Sequence, residues 1–185
     1  PVLPNDWILG SVASVDVDSR DHVWIYHRPR SIDEAQQANA APAVLEFDPD
    51  GNFVQGWGGP GDGYEWPSNE HGIEVDDQDN VWLGGNGGGE SSDDMLLKFS
   101  RDGELVMQIG GRNTSGGNTD TDNLNRPSEA AVYRDTNEVF VADGYGNRRV
   151  IVFDAETGAY KRMWGAFNNE PIDASDEQPP SGAEL

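Results

Sequence analysis

The chain repeats one pattern three times, and this internal repetition limits its possible folds more than any other feature of the sequence. Each copy has an aromatic anchor in its first half (Trp24, Trp82 and Phe140) and a phenylalanine in its second half (Phe47, Phe99 and Phe153). The anchors are 58 residues apart, and the phenylalanines are 52 and 54 residues apart. The spacing predicts three copies of one supersecondary unit, each packed on its neighbour.

Each half of a repeat has the pattern of a β-hairpin. Apolar β-branched or aromatic residues alternate with polar ones on either side of an Asp, Asn or Gly turn, and a period of two is typical of strands. Gly51, Gly103 and Gly158 supply turn residues that tolerate positive φ. No apolar stripe with a 3.6-residue period is sustained, so helices should be rare. Two hairpins per repeat predict a four-stranded antiparallel sheet, the blade of a β-propeller.

These patterns predict an all-β chain divided into a lead-in, three blades and a tail. The lead-in is 1–11, the blades are 12–58, 71–110 and 128–165, and the tail is 166–185. The tail is acidic and contains prolines, so it is predicted to be poorly ordered. A further segment, 29–42, is rich in Ala and Gln and is predicted to form one or two helical turns over a face of the propeller.

Three blades do not close a ring, because propellers use about four to eight. An open stack leaves two faces built for burial exposed to water. The ring therefore needs either further blades C-terminal to Leu185, which we favour, or the self-association of two chains.

Composition narrows the partners and the chemistry. With 34 acidic and 12 basic residues the formal net charge is −22, which disfavours nucleic acid and anionic membrane surfaces as partners. No apolar run reaches the roughly 20 residues of a membrane-spanning helix. The absence of cysteine excludes disulfides, thiolate catalysis and iron–sulfur clusters. A transition metal would need carboxylates or the three histidines, of which His22, in a hairpin turn beside Asp21, is predicted to be solvated.

Three short stretches carry a resemblance to a known family. They are Ile25-Tyr26-His27-Arg28, Glu70-His71-Gly72-Ile73-Glu74-Val75-Asp76 and Val141-Ala142-Asp143-Gly144-Tyr145-Gly146-Asn147-Arg148-Arg149. Together they resemble the NHL-repeat six-bladed β-propellers, and their order and spacing are similar to the first half of the peptidyl-α-hydroxyglycine α-amidating lyases. The resemblance spans roughly 9–165 and implies half of a six-bladed ring.

The lyase resemblance implies roles for five residues. Arg28 matches the family's catalytic arginine, Tyr145 its proposed base and His71 a zinc ligand. The backbone carbonyls of Val15 and Ile73 match ligands of a structural calcium. The other zinc histidines and a calcium carboxylate lie in later blades, so zinc and calcium would both need ligands from blades absent here.

Each side chain also has a structural interpretation. His71 would line the channel and bond to backbone. Tyr145 would belong to a strand-turn-strand packing element. Arg28 would bind an edge carbonyl or an acidic neighbour.

Two functions remain open at this point. We favour a secreted or periplasmic scaffold that binds a peptide, protein or glycan on one propeller face, because distinguishing parts of the lyase are missing or altered. Gly146, for example, stands where the lyases have a cysteine. The alternative is a metal-dependent lyase with its site in the central channel, which would cleave the N–C bond of an α-hydroxyglycine and release a peptide amide and glyoxylate.

Overall fold

The computed structural model describes residues 2–173 and contains three four-stranded antiparallel sheets. The first blade consists of β1 (Ser11–Val17), β2 (Val23–Arg28), β3 (Val44–Phe47) and β4 (Phe53–Trp57). The second consists of β5 (Glu70–Val75), β6 (Val81–Gly85), β7 (Met95–Phe99) and β8 (Leu105–Gly110). The third consists of β9 (Glu129–Tyr133), β10 (Glu138–Asp143), β11 (Arg149–Asp154) and β12 (Tyr160–Trp164).

Within every blade the strands lie side by side in chain order. This confirms the predicted all-β fold and its three four-stranded blades. Helical structure among residues 2–173 is confined to 3-10 turns, two of which, Pro29–Ser31 and Glu34–Asn39, lie in the insertion where turns were predicted. None of the described helical segments is long and apolar enough to cross a membrane. Residues 174–185, most of the predicted poorly ordered tail, lie outside the described residues.

The repeat positions predicted from the sequence are structurally equivalent. Phe47, Phe99 and Phe153 pair with Val23, Val81 and Val139 of the second strand in their blades. Their exposures are 5%, 0% and 1%, as expected for equivalent core positions. The turn glycines at 51, 103 and 158 have φ values of 81°, 84° and 72°. The sequence pattern therefore located both the core and the turns of each blade.

Neighbouring blades pack through their faces and are joined by hydrogen bonds between their first strands. Strand β5 lies between β1 and β9. The backbone N–H of Val75 donates to Asp16 Oδ2 at 2.6 Å, and that of Val132 donates to Glu74 Oε1 at 2.9 Å. Burial raises the pKa of Glu74 to about 7, with smaller contributions from nearby carboxylates that include Asp16. The innermost strands are thus linked blade to blade by carboxylates that accept backbone N–H groups.

The two end blades have no neighbouring blade on their outer faces within residues 2–173. On the first blade, the outer face is partly covered by the N-terminal segment, whose Leu3 and Trp7 pack near Leu45, Phe47 and Phe53. The rings of Trp7 and Phe53 meet edge to face, 5.9 Å apart. Among residues 2–173 no comparable cover lies on the outer face of the third blade, where Phe140 and Trp164 are partly exposed. The three blades of the described residues do not close a ring, as predicted.

Candidate functional site

Arg28, His71 and Tyr145 lie on one face of the propeller, the face on which β1, β5 and β9 begin, which we call the upper face. Strand direction alternates in an antiparallel blade, so the ends of second strands lie beside the starts of first strands. Arg28 is the last residue of β2, His71 is the second residue of β5, and Tyr145 follows the end of β10. The fold therefore collects on this face three side chains that are far apart in sequence.

His71 and Tyr145 are in direct contact. His71 Nδ1 lies 2.8 Å from the carbonyl oxygen of Ser128, and Nε2 lies 2.9 Å from the hydroxyl of Tyr145. A carbonyl only accepts, so a neutral His71 carries its proton on Nδ1 and presents the Nε2 lone pair to the Tyr145 hydroxyl. The two rings meet edge to face, with centroids 5.1 Å apart. Tyr145 is 49% exposed, so a ligand in solvent reaches this pair.

Arg28 is held beside this pair. Its Nε donates to the carbonyl oxygen of Glu70, the residue before His71, at 2.9 Å. Glu70 is itself buried, and its Oε1 accepts a hydrogen bond from Trp66 Nε1 at 3.0 Å. The contact with an edge carbonyl is the structural role considered for Arg28 above. It uses one of the five guanidinium N–H groups.

The loop that carries Tyr145 is fixed by the linker between the second and third blades. Arg126 Nη2 donates to the carbonyl oxygen of Tyr145 at 2.9 Å, and Gly146 N donates to that of Asn125 at 2.9 Å. A β-carbon at position 146 would overlap the side-chain amide of Asn125. This close approach is a physical reason for glycine where the lyases have cysteine. No pattern in the sequence predicts the Arg126 contact, because the linker is not part of the repeat.

Val15 and Ile73 occupy equivalent positions on adjacent inner strands, where they pair with Ile25 and Leu83. Val15 is 59% exposed and Ile73 is buried. Calcium binding by their carbonyl oxygens remains a prediction, which depends on a carboxylate from outside this chain.

The described residues around His71 do not by themselves fit a catalytic zinc ion. His71 offers one imidazole, whereas catalytic zinc takes about three protein ligands. Its Nε2 lone pair serves either a metal or the Tyr145 hydroxyl, and here it faces the hydroxyl. Zinc binding at His71 therefore remains a prediction.

A different group of metal-ligand type lies away from the upper face. Asp18, His22 and Glu46 place potential ligand atoms within 4.8 Å of one another. Arg20 lies 2.6 Å from Asp18, and Arg101 pairs with Glu46, so guanidinium groups already balance these carboxylates. The prediction that His22 is solvated was wrong, because its Nδ1 lies 2.7 Å from the buried Glu46. Its partner Glu46 lies on β3, and the sequence pattern of the turn around His22 does not indicate this contact.

The zinc prediction is directly testable. We expect the metal-stripped 185-residue chain to show no submicromolar, stoichiometric zinc binding at neutral pH, because a single imidazole forms a weak and labile site. The measurement is isothermal titration of the wild-type chain and of His71→Ala. Tight binding that disappears in the variant would show that the chain holds further ligands for His71.

The fold and the arrangement of the upper face define a β-propeller chain with a polar site on one face. No family model matches the chain. It is 27% identical over 181 residues to peptidyl-alpha-hydroxyglycine alpha-amidating lyase 1 of Drosophila melanogaster, a match that covers 87% of this chain and 30% of that protein. It is 28% identical over 179 residues to peptidylglycine alpha-amidating monooxygenase of Rattus norvegicus, covering 88% of this chain and 17% of that protein. The chain thus spans less than a third of the length of these relatives.

Solved structures support the fold alone. Streptogramin B lyase matches with a TM-score of 0.52 and 14% identity, covering 86% of this chain and 42% of that chain. U3-55K matches with a TM-score of 0.57 and 12% identity, covering 86% of this chain and 40% of that chain. At such identities the likeness concerns architecture and carries no statement about ligands.

Proposed function

We propose that the upper face binds the C-terminal end of a peptide at the His71–Tyr145 pair, as part of a secreted or periplasmic propeller. The observation that carries this proposal is the 2.9 Å contact between His71 Nε2 and the Tyr145 hydroxyl. The pair is accessible to solvent, and Arg28 is bound to the carbonyl oxygen of the residue before His71. The similarity to amidating enzymes supports a peptide as the ligand class.

Lyase chemistry is the second candidate, favoured by the orientation of the same pair. With Nδ1 bonded to Ser128, Nε2 is placed to take the proton of the Tyr145 hydroxyl. The phenol oxygen would take the proton of an α-hydroxyl group. The electron pair of the broken O–H bond would then form the carbon–oxygen double bond of the glyoxylate aldehyde. The electron pair of the broken C–N bond would stay on the amide nitrogen, which takes a proton. Arg28 would stabilise the negative charge that develops.

One set of experiments on the 185-residue chain distinguishes peptide binding from catalysis. We expect N-benzoylglycine to shift the NMR signals of the His71 ring saturably. The signals of His22, in a turn away from the site, and of the buried His27 are internal controls and should not move. We expect no glyoxylate from N-benzoyl-α-hydroxyglycine, because the ring and any zinc site are incomplete.

The contrary results are equally specific. A His71 signal that does not respond to the ligand would refute the proposed binding face. Glyoxylate release that is abolished in Tyr145→Phe would place the lyase function ahead of simple binding.

A further inference from the structure

Most, but not all, of the positively charged side chains in this acidic chain lie close to a carboxylate. Nine of its 12 Lys and Arg side chains lie within 4.0 Å of a carboxylate. Within residues 2–173 the exceptions are Arg28, Arg126 and Arg148. Acidic residues outnumber basic ones almost three to one, so an arginine without a carboxylate partner is unexpected here. All three exceptions are close in sequence to loops of the upper face.

Arg28 and Arg126 are each bound to the backbone that carries one member of the His71–Tyr145 pair. Arg28 donates to the carbonyl oxygen just before His71, and Arg126 donates to that of Tyr145, each at 2.9 Å. Each contact uses one N–H group. Among the described residues the remaining guanidinium N–H groups of both arginines have no hydrogen-bond partner.

The side chain of Arg126 packs against the glycine-rich loop after β6. A β-carbon at Gly88 would lie 3.1 Å from Arg126 Nη1 and 3.4 Å from its Cδ, so the arginine packs closely against backbone that has no side chain. The Arg126 backbone has a φ of 57°, in the left-handed region that L-residues seldom adopt. The guanidinium is thus held over a glycine and beside the Tyr145 loop.

We propose that Arg126 is a specificity-determining residue that, together with Arg28, makes the upper face select ligands with a free carboxylate. A guanidinium matches a carboxylate through two parallel N–H groups. The negative charge of the rest of the chain repels anions, so carboxylate binding requires local positive charge without carboxylate partners. The proposal rests on the proposed function in that it names the ligand group recognised beside the His71–Tyr145 pair, and it requires no catalysis.

The test compares a carboxylate with its uncharged amide. N-benzoylglycine and N-benzoylglycinamide are titrated into the 185-residue chain, with the His71 ring signals as the readout. We expect the wild-type chain to bind the carboxylate at least tenfold more tightly. Arg126→Gln should remove most of this preference by weakening carboxylate binding about tenfold, because the variant loses a charge-assisted hydrogen bond. Amide binding should change less than twofold.

Arg134→Gln is the matched control, because Arg134 is an exposed arginine in the turn between β9 and β10, paired with Asp135 at 3.4 Å. It removes the same charge and should leave the preference unchanged.

Two results would overturn the proposal. One is an unchanged preference in Arg126→Gln, which would limit Arg126 to holding the Tyr145 loop. The other is equal binding of acid and amide by the wild-type chain, which leaves peptide binding intact. If neither compound moves the His71 signals, the binding face itself is refuted, and with it this proposal.

Discussion

Arg149→Met should destabilise the protein by about 3–5 kcal/mol, because it breaks a buried ion pair by removing one partner. The side chain of Arg149 is fully buried, and its Nε donates to the buried Asp143 at 2.9 Å. Its other nitrogens donate to backbone carbonyl oxygens of the linker between the second and third blades, those of Asn118, Asp120 and Asn123. The variant would leave these oxygens and one carboxylate without their donor.

Urea unfolding measures this loss as a change in the free energy of unfolding. Arg134→Met is the control and should change that free energy by less than about 0.5 kcal/mol, since its ion pair is exposed. In a double-mutant cycle, Asp143→Leu combined with Arg149→Met should cost less than the sum of the single changes, because no unpaired charge stays buried. A loss below about 1 kcal/mol for Arg149→Met would contradict this account of the linker.

The same network explains why part of the site could not be predicted from the sequence. Arg28, His71 and Tyr145 lie in stretches that resemble the amidating lyases, so the sequence allowed roles to be predicted for them from that resemblance. The linker that holds Tyr145 lies outside these stretches. Its contacts with Arg126 and Arg149 join non-repeated segments and depend on tertiary packing.

The Asp18–His22–Glu46 group was missed for a related reason. The turn pattern around His22 correctly indicated a hairpin, and the Asp18 side chain accepts the backbone N–H groups of Arg20 and His22 in that turn. The buried Glu46, however, occupies a strand position where the second blade has Lys98 and the third has Val152. Repetition predicts the place of such a residue, but the partners of its side chain follow from the whole fold.

The largest effect in the core is expected for Phe99→Ala, because Phe99 lies where the first two blades meet. It is fully buried, and its ring centroid lies 5.3 Å from that of Trp57, 5.2 Å from Tyr64 and 6.0 Å from Trp66. Truncating a packed phenylalanine costs about 3–5 kcal/mol, through lost transfer free energy and the cavity left behind.

Urea unfolding of Phe99→Ala, Phe47→Ala and Phe153→Ala tests whether the three equivalent positions contribute alike. Phe167→Ala is the control, because that side chain is 80% exposed and should contribute little. Phe99 faces the first blade and Phe153 the second, whereas Phe47 faces the N-terminal segment with Leu3 and Trp7. A similar loss of unfolding free energy for Phe47→Ala would mean that the N-terminal segment buries this face of the first blade as well as a neighbouring blade buries the equivalent faces. A loss near zero for Phe47→Ala would contradict the packing of the N-terminal segment on the first blade. A loss near zero for all three variants would contradict a common core position in the repeat.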